Sequence, residues 1–144
     1  MNRLLKCPKP SFAVSLLLLV GCAGPLTMNT IQRIEQGMPS ASFSSMVKRT
    51  PARVFTVVDP ENGSEYQVQI YRMQTGTGTT STVIYHNGYP SFVPMIYPIS
   101  EPYAFLFRVD ALLFWGFPHE YARSDEQSIR RLAPLIMREL GKGR

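Results

Sequence analysis

The chain has 144 residues and 16.3 kDa, a one-domain length that argues against a two-domain enzyme. An apolar fraction of 44% and an aromatic fraction of 11%, with only 17% charged residues, exclude disorder throughout. The formal charge of +5 has the size of a nucleic-acid or membrane-surface signal, but three of the fifteen Lys and Arg precede residue 10, so the basicity is concentrated at the front.

Arg3, Lys6 and Lys9 are followed by the uncharged run Ser11 to Val20, which contains four consecutive leucines. A basic start followed by an apolar run is the order of a secretory signal peptide. Ten residues of helix span about 15 Å, half of the ~30 Å hydrocarbon core, so the run is too short to anchor by spanning. It ends in Leu19-Val20-Gly21-Cys22, which resembles the lipobox of bacterial lipoproteins, whose cysteine is acylated and becomes the new N-terminus. That resemblance implies lipidation at Cys22, with several acyl chains of the palmitate kind. The next residue is Ala23 rather than Asp, which implies the periplasmic face of the outer membrane. Cleavage before Cys22 leaves 123 residues, lowers the formal charge to +2 and removes Cys7. No thiol then remains for cysteine catalysis, a zinc-thiolate site or a disulfide.

Thr27 to Gly37 places Ile31 and Ile34 three apart before a glycine, which predicts a short helix. Ser40 to Val47, with Phe43, Met46 and Val47 at spacings of three and four, predicts a second helix that Pro51 closes. Arg53 to Val58 and Tyr66 to Arg72 are β-rich runs around Asp59-Pro60-Glu61-Asn62-Gly63-Ser64, an antiparallel hairpin pattern. Asn62-Gly63-Ser64 also fits a glycosylation sequon and is read as the turn. Residues 74–102 turn Gly/Thr-rich and then Pro/Tyr-rich and predict an insertion, with one strand at Thr82 to His86 before Asn87-Gly88. Tyr103 to Val109 and Ala111 to Trp115, joined at Asp110, predict a second hairpin. Ser124 and Gln127 have capping-box spacing and open a C-terminal helix with the stripe Ile129, Leu132, Ala133, Ile136 and Leu140; Pro134 is expected to kink or split it. Arg138, Lys142 and Arg144 suit the negative end of that helix better than a nucleic-acid patch.

Ile31-x-x-Ile34-x-x-Gly37-Met38-Pro39-x-x-x-Phe43, followed by Val47 and Pro51, resembles the small outer-membrane lipoproteins of the BamE type, the SmpA/OmlA domain. The family pattern reads Gly-Met-Thr and then Leu-Gly-x-Pro; here Pro39 and Val47-Lys48 depart from it, and so does everything after Met73. The resemblance implies an α+β fold with two N-terminal helices packed on a small antiparallel sheet, to which this chain adds a C-terminal helix. The expected organisation is a signal peptide over 1–21, a lipidated N-terminus and linker over 22–26, and one domain over 27–144.

Signals for chemistry are weak. His86 and His119, with Glu120, lack any spacing that favours a metal site. Ser91 and Ser100 sit among prolines with no G-x-S-x-G elbow, and Thr75 to Thr80 lacks the Gly-Lys-Ser/Thr of a phosphate loop. The expectation is therefore no enzyme, no cofactor and no metal. A lipid-anchored adaptor working through protein contacts is expected instead, with Tyr89, Phe92, Tyr97 and Trp115 as candidate partner contacts. The alternative is a lipoprotein that binds an envelope ligand (peptidoglycan, lipid or a small molecule), with Trp115 and Tyr121 in a groove.

Overall fold

The computed structural model describes residues 25–142; the expected signal peptide and Cys22 lie outside the described residues. Alternating apolar side chains build an antiparallel meander of β1 (Arg53–Val58), β2 (Glu65–His86), β3 (Tyr89–Arg108) and β4 (Ala111–Gly116), in that spatial order. The fold class is α+β. Helices flank the sheet in sequence: α1 (Met28–Ile31) and α2 (Ser40–Val47) precede it, while α3 (Pro118–Tyr121) and α4 (Gln127–Gly141) follow it.

Strand period two divides the core between the faces of the sheet. Val68, Ile70, Ala104 and Leu106 face one way and pack with Ile129, Leu132 and Ile136 of α4. Tyr71, Met73, Phe105 and Phe107 face the other way and pack with Leu26, Ile34, Phe43 and Val47. Phe43 is fully buried, its ring centroid 4.6 Å from that of Phe105 and 5.2 Å from that of Phe107. On the opposite face Asp59, also sealed from solvent, accepts hydrogen bonds from Arg131 Nε at 3.2 Å and Nη2 at 2.8 Å and from the Glu61 N–H at 3.0 Å. Arg131 also meets Glu61 at 2.8 Å, which pins α4 to the β1–β2 turn. That turn holds the Asn62-Gly63 pair, with Gly63 at φ +68°.

Several expectations are corrected. The first helix is one turn, because the following backbone is used elsewhere: Gly37 N–H donates to the Leu112 carbonyl, Leu112 N–H to Met38, and Ser40 N–H to Asp110. Residues 37–40 thus cover the outer edge of β4. Leu26 is not linker but core, 2% exposed. Its N–H donates to the Arg72 carbonyl and its carbonyl accepts from Gln74 N–H, a parallel bridge to Met73. The predicted strand Thr82 to His86 and its Asn87-Gly88 turn are present, but the insertion at 74–102 holds more than that one strand, since β2 and β3 run through all of it. No Ser124–Gln127 capping box forms: α4 starts at Gln127, and Ser124 Oγ accepts the Glu126 N–H instead. Pro134 does not split α4, because Ile129, Leu132 and Ala133 before it and Ile136 after it are buried on the same side of the sheet.

Candidate functional site

Beyond the core, β2 and β3 continue as a two-stranded arm. Eleven consecutive pairs, from Gly76↔Ile99 to His86↔Tyr89, extend it by about 35 Å. A bulge between Gln74 and Gly76 marks its root, and Asn87-Gly88, with φ +51° and +84°, closes its tip as a two-residue turn. No Asp, Glu, Lys or Arg occurs between Arg72 and Glu101. The β2 half is mainly Gly, Thr and Ser, but large apolar side chains near the tip and along β3 stand in solvent: Tyr85, Tyr89, Phe92 and Ile96 are 73–77% exposed.

Each face of the arm has its own stripe. Continuing the α4 side of the sheet are Pro90, Phe92, Pro94, Ile96 and Pro98, opposite Tyr85, Val83, Ser81, Thr79 and Thr77. Continuing the other side are Tyr89, Val93, Met95, Tyr97 and Ile99, opposite His86, Thr82, Thr80, Gly78 and Gly76. Tyr97 lies across Gly78 so closely that a methyl group there would sit 2.5 Å from Tyr97 Cζ. The glycine admits the ring, and the ring covers the backbone that glycine exposes.

The two edges also differ. Arg72 C=O and Gln74 N–H both bond to Leu26, so they point away from β3, and Arg72 is paired with Pro102 at a position without ladder hydrogen bonds. Pro98, Pro94 and Pro90 share the parity of Pro102, so all four ring nitrogens point to the outer edge of β3. Proline is tolerated there because no N–H is needed, and it prevents another strand from pairing. The extra residue at the bulge shifts the parity of β2, so the backbone groups of Thr77, Thr79, Ser81, Val83 and Tyr85 point to its outer edge. Among the described residues no strand pairs with that edge.

Of the predicted contacts, the structure places Tyr89 and Tyr97 on one face of the arm and Phe92 on the other, and Trp115 elsewhere. Trp115 is on β4, half-buried beside an open cleft of about 810 Å³ with Tyr103, His119, Glu120 and Arg123. Burial, with the charge of Glu120 adding to it, pushes the Tyr103 phenol up to about 12. Glu120 Oε2 already accepts the Phe117 N–H at 2.6 Å, and His119 stacks on Phe117. Tyr121, read as a groove residue, is sealed in the core and donates to the Ala104 carbonyl at 2.9 Å. His86 stands at the arm tip and His119 on α3 near its root, so they are not brought together. Sequence reasoning missed Ile96, Met95 and the open β2 edge; the signal for them was the four-residue spacing of Pro90, Pro94 and Pro98 in an uncharged segment.

No family model matches the chain, and no curated protein or solved structure matches it significantly.

Proposed function

We propose that the protein is a lipid-anchored lipoprotein on the periplasmic face of the outer membrane, acting without catalysis as a structural or assembly adaptor through its arm. The carrying observation is the arm itself: an uncharged ribbon whose large apolar side chains stand in solvent on both faces. Contiguous exposed apolar surface of this kind marks a contact site, and rigid aromatics give contact area at low entropic cost. A lipid on Cys22, four residues ahead of Leu26, holds the root of the arm within about 14 Å of the membrane. The order of helix, Gly37, helix and antiparallel strands supports a BamE-like scaffold. Because α4 adds a layer on the second face of the sheet, the partner need not be the one that family uses.

The test is intact mass and membrane fractionation of the wild type beside Cys22→Ala, followed by crosslinking in whole envelopes beside Tyr89→Ser/Phe92→Ser/Tyr97→Ser. The wild type is expected to carry lipid and to crosslink to one dominant envelope protein. The triple variant is expected to lose that crosslink with its melting transition nearly unchanged. A soluble, unacylated mature chain, or a triple variant that crosslinks normally, overturns the reading. A second reading, an envelope ligand in the Trp115 cleft, is favoured by the size of that cleft; it predicts a change in tryptophan fluorescence on adding peptidoglycan fragments, with the arm variant responding as the wild type does.

A further inference from the structure

We infer that the open β2 edge of the arm pairs with the same edge of a second copy, antiparallel and centred on Ser81, so that two arms form one four-stranded sheet and association stops there. This deepens the proposed role of the arm and rests on it.

An isolated two-stranded ribbon is marginal in water, yet this one extends about 35 Å beyond its core. Its edges are unequal. Pro90, Pro94 and Pro98 close the β3 edge, whereas Thr77, Thr79, Ser81, Val83 and Tyr85 turn their N–H and C=O groups outward from β2. An arm with one open edge cannot build a barrel or a fibre, both of which need two. Isologous pairing of that edge with itself leaves only proline-closed edges outside.

The edge is self-complementary. About Ser81, the outward groups meet in register: Thr77 opposite Tyr85, Thr79 opposite Val83 and Ser81 opposite itself, with about ten main-chain hydrogen bonds in all. Between them Thr80 falls opposite Thr82, a favourable cross-strand pair, and Ile84 falls opposite Gly78, where it meets the Tyr97 ring that covers that glycine. The segment from Met73 to Ser100 holds no Asp, Glu, Lys or Arg, so two copies meet without like-charge repulsion. Antiparallel overlap places the two cores at opposite ends of the joined arms, so they do not collide.

Single cysteines in the full-length, membrane-extracted protein test the register. Oxidised Ser81→Cys is expected to give about tenfold more disulfide-linked dimer than Thr79→Cys alone, because residues 81 meet at bridging distance while residues 79 lie about 14 Å apart. A mixture of Thr79→Cys and Val83→Cys chains is expected to recover the dimer, and the wild type to give none. Ser81→Pro removes only an outward N–H; it is expected to yield monomers that keep the strand signal and the melting temperature. If Ser81→Cys remains monomeric, links to a different protein, or links no better than Ser91→Cys on β3, the pairing is overturned. If the Tyr89/Phe92/Tyr97 serine variant still loses its envelope crosslink in that case, the adaptor reading stands without the dimer. If Ser81→Cys forms no dimer and the serine variant keeps its envelope crosslink, both readings are overturned.

Discussion

At one end of the β2–β3 hairpin Val68 pairs with Leu106, both fully buried between helical layers; at the other Val83 pairs with Phe92, 43% and 74% exposed. The same two strands thus pass from tertiary support on both faces to none. Their turns show what that difference demands. The arm closes through Asn87-Gly88, residues suited to positive φ. The β3–β4 turn uses Val109 and Asp110 at φ +45° and +68°, although a β-branched residue is poorly suited to that region. It is held from outside, because Asp110 accepts both the Ser40 hydroxyl through its carboxylate and the Ser40 N–H through its carbonyl. Where packing supports the chain, local chemistry can be poor; where nothing packs, it must be good.

The largest test of that contrast swaps one side chain in each half. Phe43→Ala is expected to cost about 3–5 kcal/mol in urea unfolding, while Phe92→Ala stays within about 0.5 kcal/mol. Equal losses would mean that the arm packs against something within its own chain.

The next effect concerns the Asp59–Arg131 clamp, which has no counterpart in the arm. The Arg131 hydrogen bond, seconded by the Glu61 N–H, holds the Asp59 carboxyl below its ordinary value of 3.8. Its contribution is therefore present above that value and disappears as pH falls through the lower folded one. Thermal melts of the wild type are expected to show this acid loss. Arg131→Ala is expected to be less stable at neutral pH and to lack that part of the acid dependence; an unchanged pH profile would remove the clamp from the account.

The smallest effects lie in the turns. Gly88→Val is expected to cost about 1–2 kcal/mol locally, read as faster hydrogen exchange of arm amides with the melting of the core unchanged. Val109→Asn is expected to stabilise the core by about 0.5–1 kcal/mol. A global loss from Gly88→Val would show that the arm and the core unfold as one unit.

Much of the core was legible in the sequence. The β-rich runs Arg53 to Val58, Tyr66 to Arg72 and Tyr103 to Val109 mark the core parts of β1, β2 and β3, with β3 ending one residue earlier at Arg108, and α2 occupies Ser40–Val47 as its apolar spacing implies. Of the arm only the tip was legible, as the strand Thr82 to His86 and its Asn87-Gly88 turn; the rest was not, because Gly, Thr and Pro report loops in any scheme that assumes burial, and here strand pairing persists without it. The contribution of Leu26 was hidden for a related reason: a single residue that bridges β2 from a distance leaves no periodic trace. Trp115 was grouped with the arm aromatics by composition, although β4 carries it to the side of the sheet that packs on Phe117.

The Leu26 bridge also has a mechanical meaning. A pull entering through the N-terminus reaches β2 at Arg72 to Gln74 before it reaches any helix, and two hydrogen bonds of 2.6 and 3.0 Å with one buried leucine carry the load. The bridge lies parallel to β2, so tension along the strand loads both bonds together in shear rather than peeling them in turn. The arm is in this sense a lever pivoted at its own tether, and force between its tip and the N-terminus enters the sheet at Leu26, at the margin of the core, without passing through a helix.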